Sequence, residues 1–354
     1  MKKVIAGIQQ IGIGNSDVNE ATEWYKNYFG MDIKVFEDSG TADLMLPYTG
    51  GEPHDRTAIL TLNMRGGGGF EIWQYTSREP VAADSELQIG DLGINCCKIK
   101  SYDVAKSYEQ FTAAGLKVLT PLKENPSGDL NFFVEDLNGN IFNVVKGLGW
   151  FKTKERRLTG GVSGAIIGSS DIDKARTLYS DILGYDEVVY DETDIFEDMN
   201  GLPSGQTKFR RVLLRHSQPR KGGFSQMLGP TEIELVQSED GRRNPKKIFE
   251  DRYWGDIGFI HLCFDVQGMD ALKRECVAKG FPFTVDSAES FDMGEAAGRF
   301  TYIEDPDGTL IEFVETHKVP IMKKLGWFID MTKRDPEKNL PNWVISGLTF
   351  NRMK

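Results

Sequence analysis

Apolar and polar residues along this chain follow two periods, and the two succeed one another in a recurring order. Short apolar runs such as Val4–Gly14 and Gly258-Phe259-Ile260-His261-Leu262-Cys263-Phe264-Asp265-Val266 read as strands. Each leads through a polar turn into a stretch whose apolar residues recur with helical spacing. Two of these stretches open on Ser16-Asp17 and Ser170-Asp171, residues suited to capping a helix N-terminus. They stop at Gly30 and Gly184, where glycine suits a left-handed turn. Strand-like runs then close each unit, among them Gly69–Tyr75, Ile141–Lys146, 232–237 and 310–315. The first strands begin near residues 5, 93, 162 and 258. This order predicts an α+β fold of four βαβββ modules, with curved mixed sheets and helices packed outside.

The modules form an internal duplication. Ser16-Asp17-Val18-Asn19-Glu20-Ala21 matches Ser170-Asp171-Ile172-Asp173-Lys174-Ala175 at an offset of 154 residues. Tyr25-Lys26-Asn27-Tyr28-Phe29-Gly30 matches Tyr179-Ser180-Asp181-Ile182-Leu183-Gly184 at the same offset. Later, Val134-Glu135-Asp136-Leu137-Asn138-Gly139-Asn140 corresponds to Ile303-Glu304-Asp305-Pro306-Asp307-Gly308-Thr309, each a strand, tight turn and strand. Both halves end in Leu-Gly-Trp-Phe, at 148–151 and 325–328. The expected domains are therefore 1–151 (modules 4–80 and 91–147) and 160–328 (modules 160–240 and 256–317). A basic linker covers 152–158, and a polar tail covers 329–354, expected to pack through Trp343 and Phe350.

Composition narrows the class. Apolar content of 40% and charged content of 27% are those of a soluble globular chain. No run approaches the ~18 apolar residues of a membrane span. The start, Met1-Lys2-Lys3 and an apolar run, is interrupted by Gln9 and Gln10 and reads as a first strand rather than a signal peptide. A net charge of −11 argues against nucleic acid and for small-molecule partners. Residues 210–247 are locally basic and read as a solvated face. Cys96, Cys97, Cys263 and Cys276 form no CxxC pair and suit a reducing cytoplasm. The Arg65-Gly66-Gly67-Gly68-Gly69 run lacks the Lys-Ser/Thr and the helix of a phosphate loop, so a flexible hairpin turn is expected.

One polar slot recurs on the four first strands, holding Gln10, Asn95, Gly164 and His261. Glu71 and Glu312 interrupt apolar runs, Phe70-Glu71-Ile72-Trp73 and Ile311-Glu312-Phe313-Val314. Alternation places such carboxylates either on a solvated face or inward, where burial demands a partner or a metal. His54, His216 and His317 read as loop or strand-end residues.

The modules resemble the vicinal oxygen chelate superfamily, which includes glyoxalase I, methylmalonyl-CoA epimerase, extradiol dioxygenases and bleomycin-resistance proteins. The resemblance covers residues 4–328 and is clearest in His261 followed by Arg299-Phe300-Thr301-Tyr302-Ile303-Glu304-Asp305-Pro306-Asp307-Gly308-Thr309-Leu310-Ile311-Glu312. It implies tandem glyoxalase/dioxygenase-type domains, with metal ligands on the first and fourth strands of contributing modules. The fourth-strand slots are Glu71, Asn143, Glu234 and Glu312. In fused glyoxalase I proteins the first module pairs with the fourth and the second with the third. That pairing implies one cavity with Gln10, Glu71, His261 and Glu312 as ligands of one divalent ion (Zn, Ni, Co, Mn or Fe), and a spent one with Asn95, Asn143, Gly164 and Glu234.

The implied activity is a glyoxalase-like lyase or isomerase on a small 2-oxo or 2-hydroxy compound, through a metal-stabilised enediolate, with Glu312 as base and Glu71 as its partner. Two alternatives stay open. One is a non-catalytic binding protein of the bleomycin-resistance type, for which Phe70, Trp73, Tyr75, Phe300 and Tyr302 would line the ligand site. The other is an extradiol-type or 4-hydroxyphenylpyruvate-type dioxygenase, which joins the third and fourth modules and needs two His and a carboxylate. A four-module chain can close both cavities within itself, so a monomer or homodimer is expected.

Overall fold

The computed structural model describes residues 2–155, 157–241, 244–288, 291–292, 297–322 and 326–354. Arg156 of the expected linker, Arg242 and Arg243 of the basic segment, and Leu325 of the second Leu-Gly-Trp-Phe repeat lie outside the described residues.

The first module comprises β1 (Val4–Gly14), α1 (Val18–Phe29), β2 (Ile33–Thr41), β3 (Asp55–Leu62) and β4 (Gly69–Tyr75). The second has β5 (Gly93–Ser101), α2 (Val104–Ala113), the short β6 (Lys117–Val118) and β7 (Lys123–Glu124), β8 (Leu130–Glu135) and β9 (Ile141–Lys146). The third has β10 (Thr159–Gly168), α3 (Ile172–Tyr179), β11 (Glu187–Asp194), β12 (Phe209–Arg215), the single turn α4 (Ser225–Leu228) and β13 (Glu232–Ser238). The fourth has β14 (Gly258–Gln267), α5 (Met269–Ala278), β15 (Val285–Asp286), β16 (Phe291–Asp292), β17 (Ala297–Glu304) and β18 (Leu310–Thr316). A hairpin of β19 (Lys318–Met322) and β20 (Trp327–Asp330) and a short α6 (Asn342–Ser346) follow. Asp17 and Asp171 cap α1 and α3 as their spacing predicts, accepting from backbone N–H groups of the first turn.

The modules pair across the chain. One sheet runs β15-β17-β18-β14-β1-β4-β3-β2 and joins the first module to the fourth. The other runs β11-β12-β13-β10-β5-β9-β8-β6 and joins the second to the third. At each centre two first strands lie antiparallel, β1 on β14 and β5 on β10, each flanked by its own closing strand in parallel. The pairing of third with fourth module, which the dioxygenase alternative needs, does not occur within either sheet.

The strand period of two sorts the side chains. Phe70 and Ile72 of β4, Leu262 and Phe264 of β14, and Ile311 and Phe313 of β18 enter one core between the two sheets. Tyr25 and Phe29 of α1, Phe111 of α2, Ile172 and Tyr179 of α3 and Leu272 of α5 fill that same core. The alternate residues, including Glu71, Trp73 and Glu312, therefore face the concave side.

Register corrects one slot. Gln10 pairs with Cys263 and Gly12 with His261, which makes Gln10 and His261 equivalent by pseudo-twofold symmetry. In the second sheet, Gly164 pairs with Lys98 and Ile166 with Cys96. The partner of Gly164 in this symmetry is thus Cys96, not Asn95. Asn95 is instead a local cap: its Oδ1 accepts from Gly90 N at 2.7 Å and its Nδ2 donates to Asp91 O at 2.7 Å. A shift of one residue in a strand turns the side chain to the opposite face, so the distinction matters.

The glycine run at 66–69 is also not a flexible turn. Its residues are buried, Gly67 N donates to Met227 O, and Gly68 and Val162 exchange N–H···O bonds. A Cβ on Gly67 would lie 2.7 Å from the Gly161 backbone, so glycine here permits close approach of chains from the two halves.

The tail packs through Met331, Leu340 and Ile345 against Ile33, Leu62 and Leu228. Trp343 and Phe350, expected to anchor it, are 61% and 93% exposed.

Two buried hydrogen bonds join modules across the core. Tyr25 Oη donates to Asp136 Oδ2 at 2.5 Å, and Tyr179 Oη to Asp305 Oδ2 at 2.9 Å. Both repeat motifs seen in the sequence thus meet at one contact. Replacing Tyr25 by Phe leaves the Asp136 carboxyl without this donor and is expected to cost about 1–3 kcal/mol in urea denaturation, as is Tyr179→Phe.

Candidate metal centre

The concave side of the first sheet holds a cavity of about 990 Å³. Gln10, Glu71 and Glu312 line it, and His261 lies behind them, completely buried. Each comes from a different strand: β1, β4, β14 and β18 are neighbours at the sheet centre. His261 Nε2 stands 3.2 Å from Glu71 Oε2 and 3.1 Å from Glu312 Oε2. Gln10 Nε2 donates to Glu71 Oε2 at 3.0 Å. Donor atoms of Glu71, His261 and Glu312 all lie within 4.8 Å of one another. The four residues expected as one set are therefore brought together.

The close approach of His261 to the two carboxylates is not a pair of directed hydrogen bonds. Among the described residues His261 Nε2 and Glu312 Oε2 have no hydrogen-bond partner of acceptable geometry, though both are buried. Buried polar atoms are almost always paired, so convergence without pairing fits donors arranged around an ion. Tyr302 Oη lies 3.4 Å from His261 Nδ1 and can hold the tautomer that leaves Nε2 facing the carboxylates. Burial opposes charge on the imidazole, but Glu312 and Glu71 together hold its pKa up to about 10. Without a metal, this site keeps a proton where the metal would sit.

A glycine makes the space. A Cβ on Gly12 would fall 2.4 Å from Cε1 of His261, so any side chain at that position displaces the ring.

The second sheet carries the same geometry with another solution. Glu234 of β13 lies at the position equivalent to Glu71, but Lys98 Nζ sits 2.7 Å from it and 2.8 Å from Glu232. Arg211 contacts Glu234 at 2.7 Å and Asp198 at 2.8 Å, Arg215 contacts Glu232 at 2.9 Å, and Tyr190 donates to Glu234. Three carboxylates thus meet three cations, of which Lys98 and Arg211 are buried and Arg215 is partly exposed. Asn143 is spent on Asn131. Gly164 has no room for a ligand, since a Cβ there would lie 2.1 Å from Glu232 O. Apolar residues including Phe196, Met199 and Phe209 fill what remains of this concave face. Lys98 and Arg211 were not picked out from sequence; their signal was a cation interrupting the apolar runs of β5 and β12.

The other histidines stay away from the cavity lining. His54 stacks on Tyr253, His216 bonds Gln218 O, and His317 lies 3.3 Å from Glu315. Of the aromatics considered for ligand contact, Trp73, Phe300 and Tyr302 line the cavity, whereas Phe70 belongs to the core between the sheets.

Comparison with known proteins follows this geometry. Residues 7–144 and 165–302 each match a family model described as Glyoxalase/Bleomycin resistance protein/Dioxygenase superfamily. The chain belongs to this superfamily. None of the curated protein sequences matches it. Among solved structures, glyoxalase I from Zea mays superposes with a TM-score of 0.55 at 13% identity, covering 89% of this chain and 92% of that one. A putative dioxygenase from Bacillus subtilis gives a TM-score of 0.55 at 16% identity, covering 89% and 86%. At these identities the likeness is one of fold, and the superfamily supports several chemistries on it. No helix among the described residues is long and apolar enough to cross a membrane.

The charge network of the second sheet has a pH signature. Burial pushes the Glu234 carboxyl up, but Arg211 and Lys98 outweigh it and hold its pKa down to about 2. A carboxylate depressed in the folded state gives stability that is present above its unfolded pKa and lost as pH falls toward the folded one. Glu234→Gln is therefore expected to destabilise the protein near neutrality, with the gap to wild type narrowing by about 3 kcal/mol between pH 4.5 and 2 in denaturant titrations.

Proposed function

We propose that this chain is a metal-dependent lyase or isomerase acting on a small 2-oxo or 2-hydroxy compound. Gln10, Glu71, His261 and Glu312 hold one divalent ion. The observation that carries the reading is charge at the first concave face. Glu71 and Glu312 converge there on one imidazole and one neutral amide, with His261 Nε2 and Glu312 Oε2 making no directed hydrogen bond among the described residues. The sister site balances its carboxylates with Lys98, Arg211 and Arg215, whereas among the described residues the first site has no lysine or arginine against Glu71 and Glu312, only the His261 imidazole. A divalent ion bound here supplies a Lewis acid for two vicinal substrate oxygens.

The chain's own residues supply the rest. Glu312, 6% exposed and at the cavity wall, takes the proton from the substrate carbon. Glu71 faces it across His261 and is oriented by Gln10, ready to serve the opposite substrate face. Tyr302 fixes the imidazole, and Trp73 and Trp254, edge-to-face at 4.5 Å, keep this part of the wall apolar. A single imidazole counts against the two-His triad that a dioxygenase of this architecture uses. A non-catalytic binding protein of the bleomycin-resistance type is the second reading, supported by the size of the apolar cavity.

Metal content tests the proposal. Protein purified without chelator and supplied in turn with Zn, Ni, Co, Mn and Fe(II) is expected to retain close to one divalent ion per chain, and not two, because Lys98 fills the sister site. His261→Ala is expected to lower this at least tenfold. Gly12→Ala should do the same with the fold intact by circular dichroism, since it acts only by displacing the His261 ring. Chains that stay metal-free, or retention unaffected by His261→Ala, would leave the binding-protein reading.

Catalysis has its own test. Solvent deuterium exchange at the carbon adjacent to the carbonyl, across a panel of 2-oxo and 2-hydroxy compounds, is expected to fall about 100-fold or more in Glu312→Gln. An unchanged exchange rate would remove Glu312 as the base.

A further inference from the structure

The remainder of the cavity wall specifies what kind of compound reaches the four donors. Its charged lining residues are Arg56 and Lys318 against Asp43, Glu71, Glu312 and Glu315. Arg56 is already committed to Asp38 at 2.6 Å, and Lys318 Nζ lies 5.1 Å from the centroid of the Phe328 ring. Among the described residues the wall therefore offers no cluster of cations for a ligand with several carboxylates. With a divalent ion in place the formal charges of these residues sum to zero, two basic and four acidic side chains plus the ion. A low-dielectric site of zero net charge favours an uncharged ligand, because a net charge taken from water loses its solvation without a counter-ion.

The apolar part of the wall mixes aliphatic with aromatic side chains, and the aromatics come from both ends of the fold. Trp73, Trp254 and Phe300 stand on or beside the sheet, and Trp343 and Phe350 of the tail stand at the rim. The two tail aromatics are 61% and 93% exposed, although the tail around them is anchored by buried Leu340 and Ile345. Large aromatic side chains held this way on an anchored segment at a cavity mouth have a face free for a ligand ring. A volume of about 990 Å³ lies at the top of the ordinary range for small-molecule sites and is far more than a three-carbon compound fills.

We propose that the cavity takes an uncharged substrate bearing an aromatic ring, with Trp343 and Phe350 of the tail as residues that select it. This rests on the reading of the cavity as a substrate site; the exclusion of anions does not require the metal, because without it the described wall sets two basic against four acidic side chains. It disfavours a peptide-like thiol conjugate with several carboxylates as the co-substrate.

A pair of fluorescent probes with one aromatic body separates the possibilities. The full-length protein is titrated with neutral N-phenyl-1-naphthylamine and with its sulfonated counterpart, 8-anilinonaphthalene-1-sulfonate. The expected result is at least tenfold tighter binding of the neutral probe, with blue-shifted emission. The double variant Trp343→Ala/Phe350→Ala is expected to weaken it about tenfold; both side chains are exposed, so the fold should be unaffected. Equal or tighter binding of the sulfonated probe overturns the inference about charge. Unchanged affinity in the double variant overturns the role of the tail. Repeating the titration with His261→Ala keeps the two readings apart. Neutral-probe binding that persists while the metal is lost supports the present inference and the metal site together. Neutral-probe binding by wild-type protein that never held metal supports this inference while the metal reading fails.

Discussion

Two inward carboxylates at the centre of a curved sheet require a positive charge between them, and the two sheets of this molecule meet that requirement differently. In the sheet of the second and third modules the charge is internal: Lys98 and Arg211 lie within 2.8 Å of Glu232, Glu234 and Asp198. In the sheet of the first and fourth modules no ammonium or guanidinium among the described residues reaches Glu71 or Glu312, and a buried imidazole stands between them. Unpaired charge in an apolar interior is costly, so the first arrangement stands complete on its own cations, while the second relies on a protonated His261 or on the ion proposed to replace that proton. The difference between scaffold and site reduces to which sheet carries its own cation.

Pairing of modules across the chain makes that comparison possible. Because β1 pairs with β14, residues some 250 positions apart become neighbours, Gln10 beside Cys263 and Gly12 beside His261, and β5 pairs with β10 in the same way over a shorter separation. The helices contribute by filling the other face of both sheets, and the two Tyr–Asp bonds fix modules that are consecutive in sequence but belong to different sheets. The donors thus sit on strands held from behind by one shared core, which suits a site that depends on distances of a few ångströms.

Much of this was legible in sequence. The period-two runs around Phe70-Glu71-Ile72 and Ile311-Glu312-Phe313 marked the carboxylates, and the repeat of Ser-Asp caps and Asp-x-x-Gly turns gave the modules. Which face each carboxylate takes could not be read locally, because alternation defines two faces without saying which is closed. The resemblance to fused glyoxalase I supplied the pairing of first with fourth module, and the sheet order agrees with it. The slip from Cys96 to Asn95 arose because an asparagine near a strand start looks like a ligand, whereas its oxygen is used on the Gly90 amide. The glycine run looked mobile for a similar reason: composition reports freedom of the backbone, not the chain that packs against it. Lys98 was passed over because a lysine in a strand is ordinarily a solvated one.

One position shows how little separates the two sheets. Gly12, Lys98, Ile166 and Cys263 are equivalent by register, each sitting two residues after the first-strand slot and beside the fourth-strand slot. In the first sheet this position holds a glycine and a cysteine, small enough to leave the His261 ring its place. In the second it holds a lysine long enough to reach Glu232 and Glu234 on the neighbouring module, so that its ammonium takes the place of an ion. A side chain of no volume admits a ligand; a long cation at the same register point replaces what the ligand would bind. One duplicated fold thus carries a charge network closed by its own lysine and arginines in one sheet and the site proposed to bind an ion in the other, and the two sheets share one core.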